Sequence, residues 1–183
     1  MHVYFDMDGV LADFDGGIKT LCGLEPKPQG SGGPGWDDEM FAAIRAVGHF
    51  YRKLPPLEPA MALLLEVLEA LGPENTAILT GVPKPKRGVP EAAEDKKAWI
   101  EEHVGRAWTA KHGTSRGAAP ALAVHTVLRR EKVQFAGSKE HILIDDFSAN
   151  VKEWETAGGT GILHSNAETT RKRLAELGAL PKP

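Results

Sequence analysis

Asp6 and Asp8 stand one residue apart, directly after a short apolar run from His2 to Phe5. In extended chain, residues two apart point to the same side. Two like charges that close repel unless a cation sits between them or one takes a proton. Mg²⁺ is such a cation: it takes oxygen ligands, and one or two carboxylates plus a substrate phosphate usually hold it. A carboxylate can also attack phosphorus and form an aspartyl-phosphate. A second acidic pair, Asp145 and Asp146, closes the apolar run His141 to Ile144, and a third run, Thr76 to Leu79, ends at Thr80 and Gly81. A threonine hydroxyl donates to a phosphate oxygen, and a glycine leaves its backbone N–H accessible. A lysine nearby would neutralise charge on a transferred phosphoryl group. Asp8-Gly9 alone also reads as a turn; the second acidic pair favours catalysis.

These residues need strands to deliver them. Short apolar runs at His2 to Phe5, Thr76 to Leu79, Leu122 to Leu128, His141 to Ile144 and Thr160 to His164 read as strands. Helical patterns lie between them. Ala60, Leu63, Leu64, Val67, Leu68 and Leu71 make one stripe in Pro59 to Leu71, stopped by Gly72-Pro73. Helices are also expected over Val10 to Leu21, Asp37 to Val47, Ala92 to Val104 and Ala167 to Leu177. Pro26 to Gly35 (PKPQGSGGPG) reads as a loop. Strands alternating with helices predict a parallel α/β sheet, with ligand at the carboxyl ends of its strands.

Composition narrows the class. The chain has 183 residues, 42% hydrophobic and 26% charged, with a net charge of -3. That suits one globular domain with a small insertion and excludes disorder as the dominant state. The absence of a basic excess argues against a nucleic-acid polymer as partner. No apolar run approaches the length of a membrane-spanning helix. The start MHVYFDMDG lacks the features of a secretory signal, and the lone Cys22 reads as core and fits a reducing compartment. A cytoplasmic protein is expected. The seven histidines show no metal-ligand spacing, so no zinc site is expected.

The segment DMDGVLADF (6–14) resembles motif I of the haloacid dehalogenase (HAD) superfamily of phosphohydrolases, and more narrowly that of the 5'(3')-deoxyribonucleotidase family. ILTGVPK (78–84) resembles motif II, and RREK (129–132) followed by ILIDD (142–146) resembles motifs III and IV. GGTGILH (158–164) has the look of small bacterial and phage members. The motifs are in order and span nearly the whole chain.

The resemblance implies a three-layer α/β sandwich with a central parallel sheet. The core would comprise residues 1–15 and 60–183, with a small helical cap at 16–59. It implies a Mg²⁺-dependent phosphomonoesterase acting on (deoxy)nucleoside monophosphates. Asp6 would be the nucleophile and a metal ligand. Asp8 would be the general acid, then the base, and would bind metal through its carbonyl. Asp146 would be a metal ligand, supported by Asp145. Thr80 and Gly81 would hold phosphate; the nucleotidases carry Ser where this chain has Gly81. Lys132 would be the phosphate lysine, with Lys96 of DKKAW (95–99) as second candidate. Phe14 and Trp36 match aromatic positions of the nucleobase pocket, and Lys84 matches a substrate-holding lysine. Two alternatives stay open: a HAD phosphatase for another small ester such as a sugar phosphate, and a non-catalytic phosphate-binding switch. The blander readings are core for Phe14 and Trp36, and solvated surface for the lysines.

Overall fold

The computed structural model describes residues 1–28 and 30–182, so Gln29 of the Gly/Pro tract lies outside the described residues. Strands β1 (His2–Phe5), β2 (Thr76–Val82), β3 (Ala123–Leu128), β4 (His141–Asp145) and β5 (Thr160–Leu163) form a five-stranded parallel sheet in the order β3-β2-β1-β4-β5. Every neighbouring pair is parallel, with Phe5 opposite both Ile78 and Ile144. Parallel sheets are covered on both faces, which is why their strands read as unbroken apolar runs. The chain moves outward from β1 to β3, then restarts at β4 on the other side. That reversal opens a crevice at the strand carboxyl ends beside β1.

Six α-helices are seen among the described residues: α1 (Phe14–Cys22), α2 (Gly33–Val47), α3 (Glu58–Leu71), α4 (Ala92–His112), α5 (Ser148–Thr156) and α6 (Ala167–Glu176). Alternation along the strands sorts the core into two layers. Val3, Phe5, Ile78, Ile142 and Ile144 pack with Leu64 of α3, Trp99 of α4 and Leu174 of α6. Tyr4, Ala77, Leu79 and Leu143 point the other way and meet Trp154 of α5 and Phe135. The expected three-layer α/β sandwich is therefore what forms. Ile18 of α1, Ile44 of α2 and Phe50 join the larger layer, so the segment between β1 and α3 is packed into the main core. Among the described residues no helix is long and apolar enough to cross a membrane.

Several boundaries differ from the sequence reading. Helix α2 starts at Gly33, not Asp37. Its glycines are poor helix formers, but Trp36, Met40 and Phe41 pack against the core and override propensity. Helix α4 runs to His112 because Trp108 continues its buried side past Val104. Helix α5 has no counterpart in the sequence reading. It is short and polar, and only Asn150, Val151 and Trp154 are buried. Cys22, the last residue of α1, is half-buried against the core as expected.

Candidate active site

The turn after β1 is built by its own backbone. The Met7 carbonyl accepts from the N–H groups of Leu11 (2.8 Å) and Ala12 (2.9 Å), and the Gly9 N–H donates to the Ala12 carbonyl at 2.9 Å. Two further bonds fasten this turn to the approach of α3: Asp13 N–H to Pro55 O at 2.9 Å and Leu57 N–H to Leu11 O at 2.8 Å. Asp13 then caps α1 by accepting from Gly16 N–H at 2.9 Å. The result is a rigid platform that presents Asp6 and Asp8 at the mouth of the crevice.

Asp6 is buried, and its Oδ1 accepts from the Met7 N–H at 2.8 Å and pairs with Lys132 Nζ at 3.0 Å. Lys132 also donates to Asp145 Oδ2 at 2.7 Å. Burial pulls the Lys132 pKa down, but the Asp6 and Asp145 carboxylates outweigh it, and the ammonium is held above the ordinary lysine value. Asp145 is fully buried and surrounded by donors: Lys132, Phe147 N–H at 2.9 Å, and Asn150 Nδ2 at 3.0 and 2.9 Å. Its oxygens thus orient Lys132 and the chain after β4.

Asp8 takes a different partner. Its Oδ2 accepts from Lys96 Nζ at 2.6 Å. Burial raises the Asp8 pKa, Lys96 opposes this, and the Asp6 charge adds to the rise. Lys96 is wholly buried and also donates to Thr80 Oγ1 at 2.9 Å and to the Gly81 carbonyl at 2.8 Å. Thr80 is buried near the end of β2. A Cβ at Gly81 would make only ordinary contact, 3.9 Å from the Arg129 backbone.

Three of the carboxylates could together hold a cation. Asp6, Asp145 and Asp146 each offer an oxygen within 4.8 Å of the others. Burial, followed by the charges of Asp6, Asp145 and Asp8, pushes the Asp146 pKa up to about 8. Hard oxygen donors crowded until one gains proton affinity fit a divalent cation such as Mg²⁺.

Beside this cluster lies a cleft of about 450 Å³, lined by Asp8, Phe14, Trp36, Phe41, Tyr51, Gly81, Arg129 and Phe147 among others. Phe14 and Trp36, both expected from sequence, are on its wall. Phe14 also packs edge-on against Phe50 and stacks with Tyr51, so the core reading of that ring holds alongside. Lys84 is exposed, one residue beyond the cleft-lining Pro83. The loop after β2 is basic (KPKR, 84–87), but its side chains do not act as a unit. Arg87 reaches back to Asp37 and Asp38 on α2 and lies 4.9 Å from the Phe41 ring centre, which ties the loop after β2 to the cleft wall.

The fold thus gathers Asp6, Asp8, Thr80, Gly81, Lys96, Lys132, Asp145 and Asp146, and sets Phe14 and Trp36 beside them, while Lys84 stays outside. Sequence reasoning missed Tyr51, Arg129, Phe147 and Asn150. Arg129 opens the quoted motif RREK and Phe147 directly follows ILIDD, which was the available signal. Tyr51 and Asn150 had none. His164, just after β5, is hydrogen-bonded to Thr170 at 2.9 Å.

No protein-family model matches the chain, and no curated protein does. Solved structures do. One is a HAD family hydrolase from Deinococcus radiodurans R1 with bound phosphate and sodium; it is 18% identical, covers 100% of this chain and 98% of its own, and superposes with a TM-score of 0.54. Another is a HAD-superfamily hydrolase from Ehrlichia chaffeensis, 14% identical, with 96% of each chain covered and a TM-score of 0.44. At this identity the first likeness is one of fold: the chain has the α/β fold of a HAD family hydrolase.

Proposed function

We propose that the protein is a HAD-type phosphomonoesterase that forms an aspartyl-phosphate on Asp6 and acts on nucleoside monophosphates, deoxyribonucleotides included. One observation carries this reading: two carboxyls two residues apart, just past the end of β1, are given separate lysines, Asp6 with Lys132 and Asp8 with Lys96. A nucleophile and an acid–base group need that separation.

In this reading the substrate phosphate sits between the Thr80 hydroxyl, the Gly81 N–H and Lys132. An Asp6 oxygen bonds to phosphorus as the bond to the leaving oxygen breaks. The leaving oxygen keeps the electron pair and takes a proton from Asp8. Asp8, now a carboxylate, removes a proton from water, which attacks phosphorus, releases phosphate and regenerates Asp6. Its raised pKa suits both duties. Asp6, Asp146 and the Asp8 carbonyl would hold Mg²⁺, with Asp145 behind them; the bound ion supplies positive charge to the phosphoryl oxygens. The segment 16–59 serves as the cap; its Trp36 and Phe41, with Phe14 and Phe147 of the core, line the cleft and give a planar base a stacking surface. Lys84 contributes only positive charge from outside the cleft.

The test is phosphate release from 5'- and 3'-(deoxy)nucleoside monophosphates and sugar phosphates, with Mg²⁺ and with EDTA. Mg²⁺-dependent release favouring nucleotides is expected. Release from sugar phosphates alone overturns the nucleotide assignment. No release from any ester by folded protein overturns the enzyme reading.

Gly9 gives a test of the cation site. Its φ is +73°, and a Cβ would lie 2.1 Å from Asp146 Oδ2. Gly9→Ala is expected to cost about 1–2 kcal/mol for the left-handed backbone. It should also push Asp146 aside, so that the rise in Tm expected with Mg²⁺ for the parent protein is lost. A retained Mg²⁺ shift would remove Asp146 from the ligand set.

A further inference from the structure

Lys96 and Lys132 look alike in sequence, and both are buried cations beside the candidate nucleophile and acid. Their hydrogen bonds separate them. An ammonium has three protons and no lone pair. Lys96 places them on three protein acceptors: Asp8 Oδ2 at 2.6 Å, Gly81 O at 2.8 Å and Thr80 Oγ1 at 2.9 Å. The Tyr51 ring, its centre 4.6 Å from the ammonium nitrogen, lies against it as well. Nothing remains to offer a ligand. Lys132 meets two carboxylates, Asp6 and Asp145, among the described residues, which leaves one proton for a phosphoryl oxygen.

We infer that Lys96 is a positioning residue, not a phosphate ligand: it sets the direction of the hydrogen bonds made by Asp8 and Thr80. The inference rests on the phosphatase reading above. A hydroxyl that accepts from a cation must turn its own proton elsewhere, so Thr80 is held as a donor toward the phosphate. A carboxyl whose Oδ2 accepts from a cation carries its proton on the other oxygen. Asp8 Oδ1 is shielded from solvent and has no hydrogen-bond partner among the described residues. It is the oxygen left to pass a proton to the leaving group and to take one back from water. Lys96 is itself fixed from α4, where Trp99, one turn on, donates through Nε1 to the Leu54 carbonyl at 2.7 Å. It can therefore hold Asp8 and Thr80 at a constant separation through the reaction.

Lys96→Met removes the three donors and keeps most of the length of the side chain. The Mg²⁺-saturated enzyme would be followed in a single turnover with two esters. A nucleoside monophosphate releases an alcohol that needs Asp8's proton; p-nitrophenyl phosphate releases a phenolate that does not. For the nucleotide, release of the alcohol should slow by about 10²–10⁴-fold, the usual contribution of a placed general acid. Release of p-nitrophenolate should fall by a much smaller factor, about tenfold, through the loss of Thr80's orientation. Adding Lys96→Met to Asp8→Asn should cost little more with the nucleotide, since groups acting as a unit are not additive. Equal losses on both esters, with phosphate binding weakened in parallel, would mean that Lys96 is a phosphate ligand, and the inference fails. No loss on either ester also overturns it.

Should Lys96→Met not fold, the parent protein crystallised with Mg²⁺ and vanadate decides. Lys132 Nζ is expected within about 2.7–3.2 Å of a vanadate oxygen, with Lys96 Nζ still on its three protein acceptors. A Lys96–vanadate contact overturns the inference. A parent protein inactive on both esters overturns the phosphatase reading itself, and this inference with it.

Discussion

Asp6→Asn is expected to abolish turnover, by on the order of 10⁴-fold or more, the scale seen when a covalent nucleophile is removed. The amide keeps the shape of the carboxyl, and its oxygen can still accept from the Met7 N–H that now meets Asp6 Oδ1. Lys132 retains Asp145 as a partner at 2.7 Å. The fold should therefore survive with little change in Tm, while the reacting oxygen is lost. Acid quenching of the parent enzyme with labelled substrate should trap a phosphorylated protein, and the variant should trap none. If Asp6→Asn kept more than about one-hundredth of the parent rate, no aspartyl-phosphate could lie on the main path.

Lys132→Met should have the largest combined effect on stability and rate. Lys132 is buried between Asp6 and Asp145, themselves buried. Removing one member of a buried ion pair leaves an uncompensated charge and costs about 3–5 kcal/mol. For a chain of this size that lowers Tm by roughly 6–20 °C. Asp145 keeps its bonds to Asn150 and the Phe147 N–H, which places the expected loss at the lower end of that range. Losing the cation proposed to face the phosphoryl group should also reduce kcat by about 10²–10³-fold, as for other charge-stabilising donors. Thermal melts and steady-state kinetics on one preparation check both. A parent-like Tm would show that the ion pair carries no net stability. A parent-like kcat would remove Lys132 from the phosphate site.

Much of the site was legible because the signals are local. Asp6, Asp8 and Gly9 follow a strand whose apolar run is complete within four residues, and Asp145 closes another within five. Thr80 was placed near a strand end, and β2 does hold it, although the strand continues to Val82. Burial on both faces of a parallel sheet leaves little choice of residue, so such strands announce themselves. Helix α3 was legible for a similar reason: its buried stripe repeats at helical spacing and ends at glycine. Helix α5 was not, because three buried residues in nine make too short a pattern.

The sequence by itself therefore determined the alternation of strands and helices, the acids and the threonine at the strand ends, and the glycine turn that carries Asp6 and Asp8. It could not assign the two lysines. Each lies in a charged stretch, and nothing within a few residues distinguishes them. Tertiary structure decided that Lys96 spans 88 residues to reach Asp8 and 16 to reach Thr80, while Lys132 spans 13 to reach Asp145. It also decided which aromatic rings face the cleft, and that Arg87 of the basic loop binds α2 across about 50 residues of chain. Burial and hydrogen-bond direction at these positions depend on which distant segments meet, and a local pattern holds no record of that.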